Sequence, residues 1–442
     1  MPNINSLAYP GQVVFHYLKL FSSQSVVVDL QDYLVEINIF EDIFSNFLHG
    51  QIMLSDSRNL IAKMPLIGNE YLAIKVETPT LGVPIEKIFR VYSITDIQTQ
   101  RDKNTQTYVL NFCSVEAIND SIATVYKPFS GLISDVAAEI YQEYLESPAT
   151  LTFEENEIKV DERTSMPFYV ETTKNKIKFL SPGWTPAKCL NWLASKAIPQ
   201  ESNISDYLFW ESASRGFNFI SVEKLIKEAV TNKNIMGNYF YTPPGTLDTG
   251  DIISKLFLAE DFEIVKFVDN LHNLNEGYFG STLSTFDMVK KQFVKYEYNH
   301  PSNYDNMTHM GFEKIKPLFN SSVPVNSDMY KKFYPINSKL FSNVRDNYTE
   351  KMPLIYGQRH SRLSELNNFK VNITVPGRTD LYAGSVINFN VPDTTVKNEF
   401  SEPGQDPLLS GLYLVSAIRH KINYRTHTMI MEIVKDSMTY KE

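Results

Sequence analysis

The chain has 442 residues, 43% hydrophobic and 21% charged, with a mean hydropathy of −0.24, which fits a folded chain of about two to four domains rather than a disordered one. A formal charge of −9 and a pI near 5.5 argue against a broad nucleic-acid-binding face, which needs basic residues to displace counterions from phosphates. No run of about 18 uncharged apolar residues occurs and the first residues carry no apolar core, so neither a transmembrane helix nor a signal peptide is expected.

From about residue 26 to residue 115 the apolar residues alternate, the period of strands with one buried face. Val35, Ile37 and Ile39 form one such run, Leu72, Ile74 and Val76 another, and Tyr108, Leu110 and Phe112 a third. The 25 Tyr and 28 Phe suit such pleated surfaces, and also suit large protein interfaces. After Pro128 the spacing changes to three and four through Leu132, Ile133, Val136, Ala137, Ile140, Tyr141 and Tyr144, an amphipathic helix of about 14 residues. A Glu-rich connector leads to a second helix at 185–198, with Thr185 as N-cap and Pro186 at its first position. Strand character returns at 207–222, Val222 to Val230 reads as a short helix, and Asn232 to Gly250 is rich in Gly, Pro, Thr and Asn.

Strand-like runs reappear from Asp261 to Tyr298, followed at 301–353 by an aromatic, Asn/Ser-rich stretch that reads as an insertion. A helix at 355–367 and strands at 369–391 and 412–434 end the chain. These last strands echo residues 68–113. Gly68 precedes a strand stopped by Pro79, as Gly384 precedes one stopped by Pro392; Phe89, Val91 and Ile94 then have the spacing of Tyr413, Val415 and Ile418. Two similar β-domains in one chain would let three copies around a threefold axis present six similar units, a pseudo-sixfold ring.

The residues also resemble a known family. Ile39 to Ser57 (IFEDIFSNFLHGQIMLSDS), Val125 to Asp135, Ser181 to Trp192, Val375 to Ile387 and Gly411 to Ile422 resemble, in order, segments of the hub proteins of contractile-tail phage baseplates, whose barrels are shared by type VI secretion spike proteins. The resemblance covers about residues 10–230 and 260–438; residues 301–353 do not match it. It implies a mainly β fold with α+β insertions: a first tube-like barrel at 1–125, an α+β domain at 126–259, a second barrel at 260–300 and 369–442, and an inserted loop-rich and helical segment at 301–368. It further implies a homotrimer that joins a hexameric tail tube to a trimeric central spike, touches tube-initiator and baseplate wedge proteins, and passes DNA through its bore. The resemblance also implies a place in the virion tail, assembled in the host cytoplasm, without stable membrane insertion.

No Walker loop, Gly-x-Gly-x-x-Gly, His-Glu-x-x-His, Gly-x-Ser-x-Gly or paired Cys-x-x-Cys is present, so no enzyme is expected, and no catalytic, cofactor-binding or metal-binding residue is assigned. His420 and His427 read as polar residues flanking a hairpin turn, since a metal there would need further ligands. Glu154, Glu155, Glu157, Asp161 and Glu162 read as a solvated charge run rather than a glycosidase pair, and Gln358 to Arg362 as one solvated helix face. Cys113 and Cys189 read as buried free thiols. Two other classes stay open: a tail-associated cell-wall-degrading enzyme and a receptor-binding β-module.

Overall fold

The computed structural model describes residues 7–22, 26–64, 66–100, 105–146, 150–154, 157–161, 167–242, 251–316, 330–338, 347–393 and 404–438. The fold is mainly β. Fourteen strands share one hydrogen-bonded sheet: β1 (Val14–Phe21), β2 (Val27–Asp29), β3 (Leu34–Asp42), β4 (His49–Asp56), β5 (Tyr71–Glu77), β6 (Ile85–Gln100), β7 (Thr105–Ser114), β8 (Asn238–Tyr241), β9 (Leu258–Ala259), β10 (Asp261–Phe267), β11 (Phe369–Pro376), β12 (Val386–Asn390), β13 (Gly411–Ile422) and β14 (His427–Lys435).

The sheet divides into two runs of the same order. The first pairs β2-β1-β5-β6-β7-β4-β3 and the second β9-β8-β12-β13-β14-β11-β10. The registers correspond as well. Val91 faces Phe112 and Ile94 faces Leu110 across β6 and β7, with one extra residue on β6 between them; Val415 faces Ile433 and Ile418 faces Met431 across β13 and β14, with one extra residue on β13 at the same place. Each is a β-bulge, which bends a strand where it changes partners. Ahead of the bulges, Val91 N donates to Glu70 O at 2.9 Å and Val415 N to Ser385 O at 2.8 Å. Gly68 (φ +82°) and Gly384 (φ +99°) lead into these contacts with left-handed backbone, which glycine adopts without strain. The runs differ at β8, which is parallel to both its neighbours where β1 is antiparallel to both of its own.

The alternating residues fill two separate cores. Ile37, Ile39, Ile52, Leu72, Ile74, Phe89 and Phe112 build the first, and Ile373, Ile387, Phe389, Tyr413, Val415, Met429 and Ile433 the second. Burying each such side chain stabilises by roughly 1.5–3 kcal/mol. Equivalent layers are filled with different sizes: Gly50 opposes Phe112 in the first, Val371 opposes Ile433 in the second. A Cβ on Gly50 would lie 2.2 Å from the Phe112 ring, so the small residue makes room for the large one.

Between the two runs, helices Ile133–Ile140 and Pro186–Ala194 pack on the strands Phe168–Val170, Tyr207–Ser212 and Gly216–Ser221 around a third core. The first continues as a π-helical turn, Tyr141–Leu145; the second is capped by Thr185, whose Oγ1 accepts from Lys188 N at 3.4 Å. Where the sequence reads as a polar connector, Thr150–Glu154 and Glu157–Asp161 pair as a hairpin. Strands Gly280–Asp287 and Gln292–Asn299 do not join the large sheet; Gly280–Asp287 pairs with Gln292–Asn299 on one side and with Lys331–Ile336, inside the expected insertion, on the other, in a sheet of their own.

The helix that follows, Tyr348–Glu365, begins seven residues before Ile355, the start the sequence pattern gives, and includes Pro353. Proline inside a helix lacks the N–H for an i−4 bond, which is why the pattern places the boundary after it. The earlier start is secured by Asn347, whose side chain accepts from Thr349 N at 3.2 Å. Among the described residues no helix is long and apolar enough to cross a membrane.

Candidate functional site

The two runs are joined through one strand. β13 pairs with β12 through residues 411–414, passes its bulge, and then pairs on the same side with β3, from Ala417 opposite Asp42 to Ile422 opposite Ile37. The equivalent edges, β6 beyond its pairing with β5 and β10 on the side away from β11, have no partner strand among the described residues. β6 pairs with β5 only as far as Arg90, and beyond that point Tyr92 (51% exposed) and Ile97 (56%) face solvent. β10, the counterpart of β3, pairs with β11 alone and leaves Ile264 (43%), Val265 (50%) and Phe267 (49%) exposed. Unpaired apolar strand edges are rare on isolated soluble proteins, because they template pairing with another strand.

Buried charge holds the intact seam. Glu41 on β3 is 2% exposed; one carboxylate oxygen accepts from Ala213 N at 2.9 Å and His420 Nε2 at 3.1 Å, the other from Ala383 N at 2.9 Å. One side chain thus ties the first run, the middle helices-and-strands layer and the second run. His420 Nδ1 in turn lies 3.1 Å from His427 Nε2, and burial together with the neighbouring His420 holds the His427 imidazole well below its usual pKa. The pair therefore flanks the turn as expected but lies in the interior, because β3 covers β13 there. Lys87 on β6 forms a second tie, an ion pair with Glu211 in which Glu211 also accepts from Leu48 N at 2.9 Å.

A third cluster centres on Arg362. Its Nη1 meets Glu365 at 2.8 Å and Asp436 at 3.0 Å, and its Nη2 donates to Thr308 O at 2.7 Å and faces Glu223 at 3.4 Å. His300 lies 2.6 Å from Glu365 and His309 3.1 Å from Asp436. His309, Glu365 and Asp436 together have the donor set of a metal site. The fit is poor, because the guanidinium already occupies the space between the two carboxylates and a second cation would sit against it. The same charges set the titration: Asp436 and Glu365 are burdened by burial but held below the usual carboxylate range by the imidazoles and Arg362, whereas burial pushes Asp206 up to about 7 despite Arg362. The sequence pattern places Arg362 on a solvated helix face; it is instead fully buried, because its helix packs between the middle layer and the separate three-stranded sheet.

Cys113 and Cys189 are buried and free. Of the acidic run, Glu155 and Glu162 lie outside the described residues. The buried clusters escape sequence reasoning because their partners are far apart in the chain; only the i, i+3 spacing of Arg362 and Glu365 is a local signal.

Among solved structures, the chain is similar to a tail protein from Neisseria meningitidis MC58 (10% identity, 95% of this chain and 96% of that one, TM-score 0.48). It is also similar to the 43 kDa tail protein of prophage MuSo2 from Shewanella oneidensis (11% identity, 96% and 100%, TM-score 0.47). A third is an E. coli component of the type VI secretion system, described as structurally similar to bacteriophage tail proteins (9% identity, 97% and 79%, TM-score 0.41). The structures it resembles are thus two tail proteins, one of them from a prophage, and a type VI secretion component. No protein-family model and no curated protein matches the sequence.

Proposed function

We propose that the chain is the structural, non-enzymatic hub of a contractile phage tail baseplate. Three copies close into a ring that joins the tail tube to the central spike, contacts the surrounding baseplate proteins and leaves a bore for DNA. The place in the tail, the spike and the tube come from the sequence resemblance. The observation that carries the ring is the seam: β3 on β13 within one chain, and the equivalent edges β10 and β6 exposed. β2 leads into β3 and β9 into β10 after short breaks, so each run of seven strands can close on itself as a barrel. Six such barrels then alternate between internal seams and seams between copies. Transferring the β3–β13 register by the equivalences above sets Ile264 of one copy near Asp96 of the next. A head-to-tail contact of this kind closes into a ring when its rotation is a simple fraction of a turn.

Light scattering and negative-stain imaging test this, with and without the cognate spike protein. The expected result is a mass of three chains and a ring with a central hole. The double substitution Ile264→Glu with Phe267→Glu should reduce it to single chains that keep the wild-type circular dichroism. A monomer persisting with the spike present, or trimers unaffected by the double substitution, would overturn the reading. Against a cell-wall-degrading enzyme stands the use of the buried acids as partners for one another's cations; clearing of a purified cell-wall suspension by this chain alone would reverse that.

A further inference from the structure

Where the middle layer meets the helix Tyr348–Glu365 there is a cavity of about 490 Å³, within the range of small-molecule sites, roughly 300–1,000 Å³. Phe44, Ile355 and Leu363 give it apolar walls. Two cations also line it, Lys196 just past the helix Pro186–Ala194, and Arg359. Lys196 is only 7% exposed, and its ammonium lies 5.6 Å from the Trp192 ring and 5.9 Å from the Tyr334 ring. Arg359 donates one hydrogen bond, to Ala194 O at 3.3 Å. No carboxylate among the described residues lies within ion-pair distance of either, whereas the buried Lys87, Arg362 and Arg378 each meet one.

The magnitudes leave this arrangement short of a partner. Taking an ammonium out of water costs several kcal/mol, and each ring offsets only about 0.5–2 kcal/mol of that. The two cations also oppose each other: burial and then Arg359 push the Lys196 amine down to about 8, and burial lowers Arg359 to about 10, offset only in part by the Asp206 carboxylate, which lies beyond ion-pair distance. A site with two cations that no carboxylate contacts at one side and mostly apolar walls around the rest has the polarity of an amphipathic anion.

We propose that this cavity binds a small organic carboxylate, its apolar body against Phe44, Ile355 and Leu363 and its carboxylate between Lys196 and Arg359. The guanidinium fork matches the two oxygens of a carboxylate, and the ammonium supplies the second charge. Phosphate or sulfate, without an apolar body, would leave the walls uncovered and is expected to bind more weakly.

Isothermal titration of the full chain with 4-phenylbutyrate, its amide and the matching amine provides the test. The carboxylate should saturate one site, the amide should bind at least about tenfold more weakly, and the amine should not bind. Lys196→Met and Arg359→Met should each weaken 4-phenylbutyrate about tenfold, and Lys227→Met, on an exposed lysine paired with Glu201, should leave it unchanged. Ser364→Trp, which fills the cavity from a partly exposed lining position without removing either charge, should abolish binding. Without ligand, Lys196→Met should unfold at the same temperature as wild type or higher, since it removes the repulsion with Arg359. Equal affinity for acid and amide, undiminished binding in both Met variants, or no saturation of the folded wild type at about 1 mM ligand would each overturn the proposal.

Discussion

Replacing Arg362 with Met tests whether buried charge holds the parts of the chain together. The side chain keeps an apolar stem but loses the guanidinium and its polar contacts: Glu365 at 2.8 Å, Asp436 at 3.0 Å, Thr308 O at 2.7 Å, Glu223 at 3.4 Å and Asp206 at 3.7 Å. Four carboxylates do not become four bare charges, because Glu365 keeps His300 at 2.6 Å and Asp436 keeps His309 at 3.1 Å. The loss should therefore be that of breaking one buried pair, about 3–5 kcal/mol, a large part of the roughly 5–15 kcal/mol by which a domain is stable. Urea unfolding at pH 7.5, followed by tryptophan fluorescence, reads it as a lowered midpoint. The penalty should shrink at pH 5.5. Asp206, at about 7 with Arg362 present, rises further without it, so the folded state holds a proton that the unfolded state has released and stability increases as pH falls through this window. A change below about 1 kcal/mol, or a penalty that grows on acidification, would refute the role given to Arg362.

Gly50→Val should destabilise the first run by about 1–3 kcal/mol or more, because the new side chain meets both the Phe112 ring and the backbone oxygen of Asn38; adding Phe112→Ile, which reproduces the Val371 and Ile433 pair of the second run, should recover only the part due to the ring in chemical denaturation. Glu41→Ala leaves Ala213 N, Ala383 N and His420 without their acceptor and should cost about 3 kcal/mol or more, seen as a lower unfolding midpoint. His427 has a folded-state pKa well below its unfolded value near 6.5, so the unfolded state takes the proton first and stability should fall as pH drops below about 6.5, by up to about 1.4 kcal/mol per pH unit. His427→Gln should flatten that slope between pH 5 and pH 7, and an unchanged slope would place the titration elsewhere.

Much of the architecture is legible in the residues because strand and helix periods depend on immediate neighbours. The alternation of Leu72, Ile74 and Val76, the Thr185–Pro186 helix start, and the shared spacing of Phe89, Val91, Ile94 with Tyr413, Val415, Ile418 all describe how an element treats its own faces. What covers those faces is not written there. His420 and His427 read as hairpin polars until β3, 379 positions from His420 at Glu41, is laid across them. Arg362 and Arg359 read as one solvated patch until the middle layer, including Glu223 139 positions away, closes over the helix. Strands, their apolar faces and their repetition follow from periods that each segment carries within itself. Which edges are joined, which are left open, and which charges are taken out of water depend on contacts between residues that no local period connects, and so emerge only when the chain is folded.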